Sequence, residues 1–95
     1  MRITIKATGI EHTNAIDSYV HKALRGLEKV LEPREKSVLA RVDIGVTTKH
    51  RKGGEIFYAE VTMHVKGADF RSVAKEESLY AAIDAMRDAV VREVT

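Results

Sequence analysis

The chain has 95 residues, 44% of them hydrophobic, which suits one compact domain and leaves no room for a second core. Its 16 lysines and arginines against 14 aspartates and glutamates give a net charge of +2, too small to indicate a nucleic-acid partner by itself. The chain contains no cysteine, which excludes a disulfide framework and a thiolate metal site. We therefore expect residues 1–95 to form a single domain.

The first predicted element is a strand over residues 2–8, where apolar and polar side chains alternate. Ile3, Ile5 and Ala7 form its apolar side. The pattern contains no long apolar run, so it predicts neither a signal peptide nor a transmembrane helix. We expect a soluble cytoplasmic protein with no membrane partner.

After this strand the apolar spacing becomes that of an amphipathic helix. Thr13 or Asn14 is the predicted N-cap, because either side-chain oxygen can accept from the free amides of the first turn. Pro33 cannot continue a helix, which places the end near Leu31 or Glu32. The stripe expected to face the core is Ile16, Tyr19, Val20, Ala23, Leu24, Leu27, Val30 and Leu31.

Two further alternating segments, residues 37–47 and 55–65, flank a short connection with two glycines, and this arrangement predicts an antiparallel hairpin. Their expected inward side chains are Val38, Ala40, Val42, Ile44, Val46, Phe57, Ala59, Val61, Met63 and Val65. Residues 66–69 then turn the chain into a fourth, shorter strand, whose expected inward side chains are Phe70, Ser72 and Ala74.

A second helix is predicted after Ser78, which is its expected N-cap. Its apolar stripe is Leu79, Ala82, Ile83, Met86, Val90 and Val94. The order is then β-α-β-β-β-α, in which the first two strands should lie parallel with a right-handed crossover and the other pairs antiparallel. Burying every apolar face predicts an α+β fold, a four-stranded mixed sheet with two helices packed on one face.

Catalytic chemistry finds little support in the sequence. The four histidines, His12, His21, His50 and His64, fall on a predicted loop, helix, loop and strand, and no pair has the spacing of metal ligands. The glycine pair of the hairpin connection opens a strand rather than a helix, unlike a phosphate-binding loop. We therefore expect a protein that is not an enzyme, with no catalytic residues, metal, cofactor or small-molecule substrate.

Basic residues form several groups that could bind RNA phosphates. The first helix carries Lys22, Arg25 and Lys29 at spacings of three and four, along one edge. The second helix carries Arg87 and Arg92. The hairpin tip presents Lys49, His50, Arg51 and Lys52, with no acid among them. The open face of the predicted sheet adds Arg2, Lys6, Arg41, Arg71 and Lys75.

An ordinary solvated surface is the alternative interpretation, because acidic residues are interspersed with these cations. Tyr58 is expected on the same open face, between Arg41 and Arg71. An aromatic ring among cations can stack on an unpaired base, but covering neighbouring side chains is its more ordinary role.

The start of the second helix, Ser78-Leu79-Tyr80-Ala81-Ala82-Ile83-Asp84, resembles the Asp-Met-Tyr-Ala-Ala-Ile-Asp signature of the ribosome hibernation-promoting factor and ribosome-associated inhibitor family. Ala15-Ile16 in the first helix, Leu27-Glu28 near its end and the order of the elements agree with that family. The resemblance implies a double-stranded-RNA-binding-like fold. It also implies binding to the small ribosomal subunit and its rRNA in the decoding region, which blocks initiation in resting or stressed cells.

The chain departs from the family pattern along the helices. Lys22 matches the first of a family lysine pair, but Ala23 and Gly26 stand where further lysines are usual. On the second helix, Ala89 takes the place of a lysine. These losses predict that the basic hairpin tip, residues 49–52, carries part of the ribosome-binding charge.

Two other functions are compatible with the residues alone. One is a general double-stranded-RNA-binding module, which would bind A-form grooves through shape and phosphate contacts. The other is a small protein-interaction domain that docks through a sheet edge or the open sheet face. Co-sedimentation with ribosomes, compared with binding to a plain RNA duplex, distinguishes them.

Overall fold

The computed structural model describes residues 1–31, 38–47, 54–65 and 67–94, and its elements follow the predicted order. The strands are β1 (Arg2–Thr8), β2 (Leu39–Val46), β3 (Phe57–Val65) and β4 (Ala68–Glu76). The helices are α1 (Asn14–Val30) and α2 (Leu79–Val94).

The four strands form one mixed sheet in the order β1-β2-β3-β4. β1 is parallel to β2, and the β2–β3 and β3–β4 pairs are antiparallel, as predicted. The register aligns Ile5, Val42, Val61 and Ser72 in a single row across the sheet. Because side chains alternate along each strand, this row and its neighbours put most of the apolar residues of the four strands on one face, whereas Val73 is exposed on the other.

That apolar face is covered by both helices. The largest fully buried side chains come from α1, β2, β3 and α2 and are Val20, Leu24, Leu27, Ile44, Val61, Ile83, Met86 and Val90. They belong to a single apolar cluster, whereas Thr4, Arg41 and Arg71 on the other sheet face are exposed. Both helices therefore pack on the same face, and the predicted α+β architecture is confirmed. The likeness to double-stranded-RNA-binding domains stays a prediction.

Side-chain caps fix where the two helices begin. Thr13 Oγ1 accepts a hydrogen bond from Ile16 N at 3.1 Å, so Thr13 rather than Asn14 is the N-cap of α1. Ser78 Oγ accepts from Ala81 N at 3.2 Å and does the same for α2. Each hydroxyl satisfies an amide that has no partner within its helix.

The strand β4 is longer than the sequence predicts. It pairs with β3 from Val65↔Ala68 to Phe57↔Glu76, and both strands have nine residues. Gly67 adopts a left-handed φ of 77°, which lets the chain reverse tightly enough for pairing to resume at Ala68. The prediction of a shorter fourth strand is therefore wrong.

Other boundaries agree with the sequence to within a few residues. α1 ends at Val30, and Leu31 takes an extended conformation as its C-cap. β2 begins at Leu39, whereas the predicted start at residue 37 lies outside the described residues, as does Pro33.

Tyr58 lies on the open face, but its neighbours differ from the predicted ones. The register pairs Tyr58 with Gly45 of β2, and Thr62 instead lies between Arg41 and Arg71. The predicted position of Tyr58 between the two arginines is therefore wrong. The register of a hairpin depends on its turn residues, which sequence alternation alone does not specify.

Gly45 allows this close approach because it has no side chain. A Cβ at this position would lie 2.4 Å from the Thr8 backbone oxygen and 2.8 Å from the Tyr58 hydroxyl oxygen. Both distances are shorter than a carbon atom can approach. The Tyr58 side chain can therefore lie over β2 at this point only because residue 45 is a glycine. Gly26 in α1 is different, because nothing lies within 4 Å of a Cβ built there.

Alanine substitutions at these two glycines should have opposite effects on the free energy of unfolding. Gly45→Ala should lower it by about 1–3 kcal/mol, because the new methyl group collides with a strand backbone. Gly26→Ala should raise it by about 0.5–1 kcal/mol, because alanine favours a helix over glycine. Urea unfolding of both variants measures the two signs, and a Gly45→Ala variant as stable as the parent would contradict the packing described.

Candidate nucleic-acid interface

The outer side of α1 carries three cations, Lys22, Arg25 and Lys29, which we call the α1 ridge. All three are exposed, whereas Leu24 and Leu27 on the opposite side of the helix are fully buried. Residues three and four apart share one side of a helix, so the burial of the apolar stripe forces the ridge outward. The predicted grouping of these three residues is therefore seen in the structure.

The charge of the α1 ridge is not neutralised by the part of the chain that the structure describes. The ion pairs within that part involve other cations, and none includes a residue of the ridge. The first-turn acid of α1, Asp17, instead faces His12 at 3.1 Å and His21 at 3.5 Å. The ridge therefore presents three cationic heads to solvent, where they can attract phosphate groups.

Arg87 and Arg92 lie on α2, which packs beside α1 on the same sheet face. Arg92 is exposed in the last turn of α2. Arg87 is partly buried, and its Nε donates to Asp88 Oδ1 at 3.0 Å. A pair with this exposure is weak, so Arg87 remains able to turn to another anion.

Arg92 and Lys29 also stabilise the helices that carry them. Each lies in the last turn of its helix, where the helix dipole favours a cation by about 0.3–1 kcal/mol. Their positions alone do not indicate a ligand. The α1 ridge as a group carries the argument for one.

Arg71 is separated from the helical cations by the thickness of the molecule. It lies on the open sheet face, where its Nε and Nη2 contact Glu60 Oε2 at 2.8 and 2.6 Å. A single ligand resting on the helices would not reach this face. Among the predicted site residues, the structure brings Lys22, Arg25, Lys29, Arg87 and Arg92 to the helical side and leaves Arg71 on the other.

The basic hairpin tip lies outside the described residues. The structure places strands β2 and β3 on either side of it and describes the chain up to Thr47 and again from Gly54. A backbone hydrogen bond from Thr47 N to Ile56 O, 2.8 Å long, joins the two sides. The proposed contacts of Lys49, His50, Arg51 and Lys52 therefore stay a prediction from sequence.

The first halves of the two helices are joined by Tyr19, a contact that the sequence analysis missed. Its hydroxyl donates to Asp84 Oδ1 at 2.7 Å, across 65 positions of sequence. Its ring meets that of Tyr80 edge to face, with centroids 4.7 Å apart and an interplanar angle of 77°. Sequence spacing placed Tyr19 in the apolar stripe. Because a partly buried tyrosine hydroxyl usually has a hydrogen-bond partner, its presence at the edge of that stripe could have indicated a contact with another element.

The environment of Tyr19 changes its acidity. The hydrogen bond to Asp84, followed by partial burial and the charge of the same carboxylate, raises the pKa of Tyr19 above its ordinary value. The positive charge of Arg87 acts in the opposite direction and lowers the pKa of Tyr19, but by less than the other causes raise it. Protonated Tyr19 is the form that stabilises the fold. Its contribution is present below the pKa of an unfolded tyrosine and is lost as pH rises through the raised pKa.

Removing the hydroxyl with Tyr19→Phe should lower the melting temperature at neutral pH, because Asp84 loses its donor. The difference between parent and variant should shrink as pH rises above about 10, where the tyrosine of the unfolded chain ionises, and should disappear as pH passes the raised pKa of Tyr19 in the folded state. Thermal unfolding followed from pH 7 to 11 measures both effects. A gap that stays constant across that range would contradict the role given to the hydrogen bond.

The histidines with a described position form surface contacts with carboxylates. His12 and His21 share Asp17, and His64 Nδ1 lies 2.6 Å from Asp69 Oδ1 across the β3–β4 hairpin. Within residues 1–31, 38–47, 54–65 and 67–94, no three histidine, aspartate or glutamate side chains are grouped to hold a metal ion. Neither helix of those segments has the length and apolarity to span a membrane.

The chain is similar to known proteins over nearly its whole length. The family model described as sigma 54 modulation protein / S30EA ribosomal protein matches residues 3–95. A ribosome hibernation promoting factor from Azotobacter vinelandii is 28% identical over 94 residues, which cover 99% of this chain and 79% of that protein. A ribosome hibernation promotion factor from Picosynechococcus is 28% identical over 98 residues, and the match spans 99% of this chain but 47% of the relative.

A solved structure resembles the fold as a whole. The crystal structure of the N-terminal domain of Protein Y from Thermus thermophilus superposes with a TM-score of 0.82 at 27% sequence identity. The match covers 99% of this chain and 96% of that domain. Similarity therefore extends over the sheet and both helices, including the elements that carry the α1 ridge.

Proposed function

Since the chain belongs to the sigma 54 modulation protein / S30EA ribosomal protein family, we propose that it binds the small ribosomal subunit near the decoding region and inhibits translation during stress or stationary phase. Relatives matched over nearly the whole chain are named as ribosome hibernation factors, which supports this function. The residues 1–95 act as a single ribosome-binding domain.

The α1 ridge is the observation that carries the proposal. Three exposed cations, spaced along one side of a helix and unpaired with described residues, can each contact a phosphate of an RNA backbone. Arg25 can hold a phosphate with two parallel donors, while Lys22 and Lys29 act as point charges. Such contacts position a protein on RNA without requiring a particular sequence.

Inhibition by this route needs no catalytic group. A domain seated on rRNA in the decoding region occupies the volume that messenger RNA and transfer RNA require, so initiation stops while the domain is bound. Release restores the ribosome unchanged, as hibernation requires. The affinity for the ribosome must therefore change with conditions in the cell. A largely electrostatic interface makes that affinity sensitive to ionic strength.

The hairpin tip supplies part of the charge in this proposal. Lys49, Arg51 and Lys52 offset the cations missing at Ala23 and Gly26. His50 adds charge only where a neighbouring phosphate favours its protonated form.

Affinity for small ribosomal subunits should fall steeply with salt. If about five to eight phosphates are contacted, raising salt from about 50 to 200 mM should weaken binding by about 10³–10⁴-fold. Co-sedimentation at a series of salt concentrations measures this slope, with a plain RNA duplex as the comparison ligand. A nearly flat response would favour a protein partner, and equal affinity for the duplex would favour a general RNA-binding module.

Two triple variants separate the contributions of the helix and the hairpin tip. One changes Lys22, Arg25 and Lys29 to glutamine, and the other makes the same change at Lys49, Arg51 and Lys52. Both should weaken binding at fixed salt, the second at least as much as the first, because each removes three cations from the proposed interface.

The open sheet face offers a matched control. Changing Arg2, Lys6 and Lys75 to glutamine removes the same charge from exposed positions on the opposite side of the molecule. This variant should bind more like the parent than either of the other two. If the hairpin variant binds like the parent while the helix variant does not, the tip has no role and the α1 ridge suffices.

A further inference from the structure

Tyr80 is the most exposed of the aromatic residues. Its exposed fraction is 44%, whereas Phe57, Phe70 and Tyr19 pack against the core and Tyr58 lies over Gly45. The position is in the first turn of α2, on the side turned toward α1 rather than toward the sheet. Core packing therefore does not account for a large ring at this position.

The ring of Tyr80 is held in place from one side. It meets Tyr19 edge to face at 4.7 Å, and Tyr19 is itself fixed by its hydrogen bond to Asp84, one turn beyond Tyr80 on α2. An edge-to-face contact involves at most one face of each ring, so at least one face of Tyr80 is not covered by Tyr19. A ring that is both exposed and fixed loses little conformational entropy when a ligand stacks on it.

The surroundings of this ring favour a nucleotide over an apolar partner. Arg87 lies on the same side of α2 as Tyr80, at spacings of four and three through Asp84, and Lys22 follows Tyr19 by three residues, on the next turn of α1. Cations beside an open aromatic face supply the two contacts that an unpaired nucleotide needs, one for the phosphate and one for the base.

We infer that Tyr80 stacks on an unpaired base of the ribosomal RNA, with the α1 ridge holding the adjoining phosphates. The inference rests on the proposed function and adds to it a contact that does not depend on charge. Stacking tolerates any base, so it confers preference for single-stranded over paired RNA rather than for one sequence. It would distinguish ribosomal loops from a plain duplex, in which no base is free.

The test compares Tyr80→Leu with Tyr80→Phe on purified small subunits that carry no messenger RNA, so that a base can come only from rRNA. Losing the ring in Tyr80→Leu should weaken binding roughly five- to 150-fold, the range of base–aromatic stacking, while Tyr80→Phe should bind like the parent. The dependence of affinity on salt should be unchanged in Tyr80→Leu, because stacking releases no counterions.

A charge variant provides the matched contrast. Lys22→Gln should reduce the salt slope by about 0.7–0.9, the effect of one lost phosphate contact, whereas Tyr80→Leu should lower affinity at an equal slope. Equal affinities of Tyr80→Leu and the parent would overturn the stacking contact and leave ribosome binding intact. Failure of the parent itself to bind would overturn the proposed function instead.

Fluorescence offers a second measurement that does not rely on affinity. The chain contains no tryptophan, so Tyr80→Trp introduces a single indole at the position in question. Its emission should be quenched when small subunits are added, because the indole stacks on a base. A variant that binds with undiminished emission would show that the ring remains in solvent. Melting temperatures show whether each variant remains folded under the conditions of the binding measurement.

Discussion

Alternation of side chains along four paired strands places most of the large apolar residues of the sheet on one side, and this constraint determines the rest of the molecule. Two helices are available to cover that side, and each has a single apolar stripe. They must therefore lie next to one another on the same face. Their outer surfaces carry the α1 ridge together with Arg87 and Arg92, while the opposite sheet face remains open to solvent.

Several acidic side chains contact partners within the described part of the fold, whereas the cations of the α1 ridge do not. Asp17, Glu60, Asp84 and Asp88 each contact a histidine, arginine or tyrosine. The α1 ridge has no such partner among the described residues. The ridge is therefore a local group of positive charge on a chain whose net charge is only +2.

Local patterns predicted most of the architecture, because they report directly on burial. Strand alternation placed Val42 and Val61 inward, helical spacing placed Leu24 and Ile83 in the core, and hydroxyl residues marked both N-caps. These features depend on near neighbours in sequence. The α1 ridge was predictable for the same reason, since three cations at helical spacing opposite an apolar stripe must point outward.

Features that join distant segments were not predictable in this way. The contact between Tyr19 and Asp84 requires knowing how one helix is rotated against the other. The position of Tyr58 over Gly45 depends on hairpin register, and the length of β4 depends on a tight reversal at Gly67. The place of Arg71 on the open sheet face, by contrast, was predictable from local alternation, because Phe70 and Ser72 on either side of it face the core.

The order of strands in the sheet also governs the order in which the chain can fold during synthesis. β1 is made first, but its partner β2 begins only at Leu39, so the parallel pair must wait for the intervening helix. The β3–β4 hairpin can form early from neighbouring residues, yet its apolar side is covered by α2, which follows both strands. Until α2 is complete, that surface is bare and prone to association with other nascent chains. A chain interrupted between β4 and the end of α2 would therefore keep the apolar side of a formed hairpin exposed.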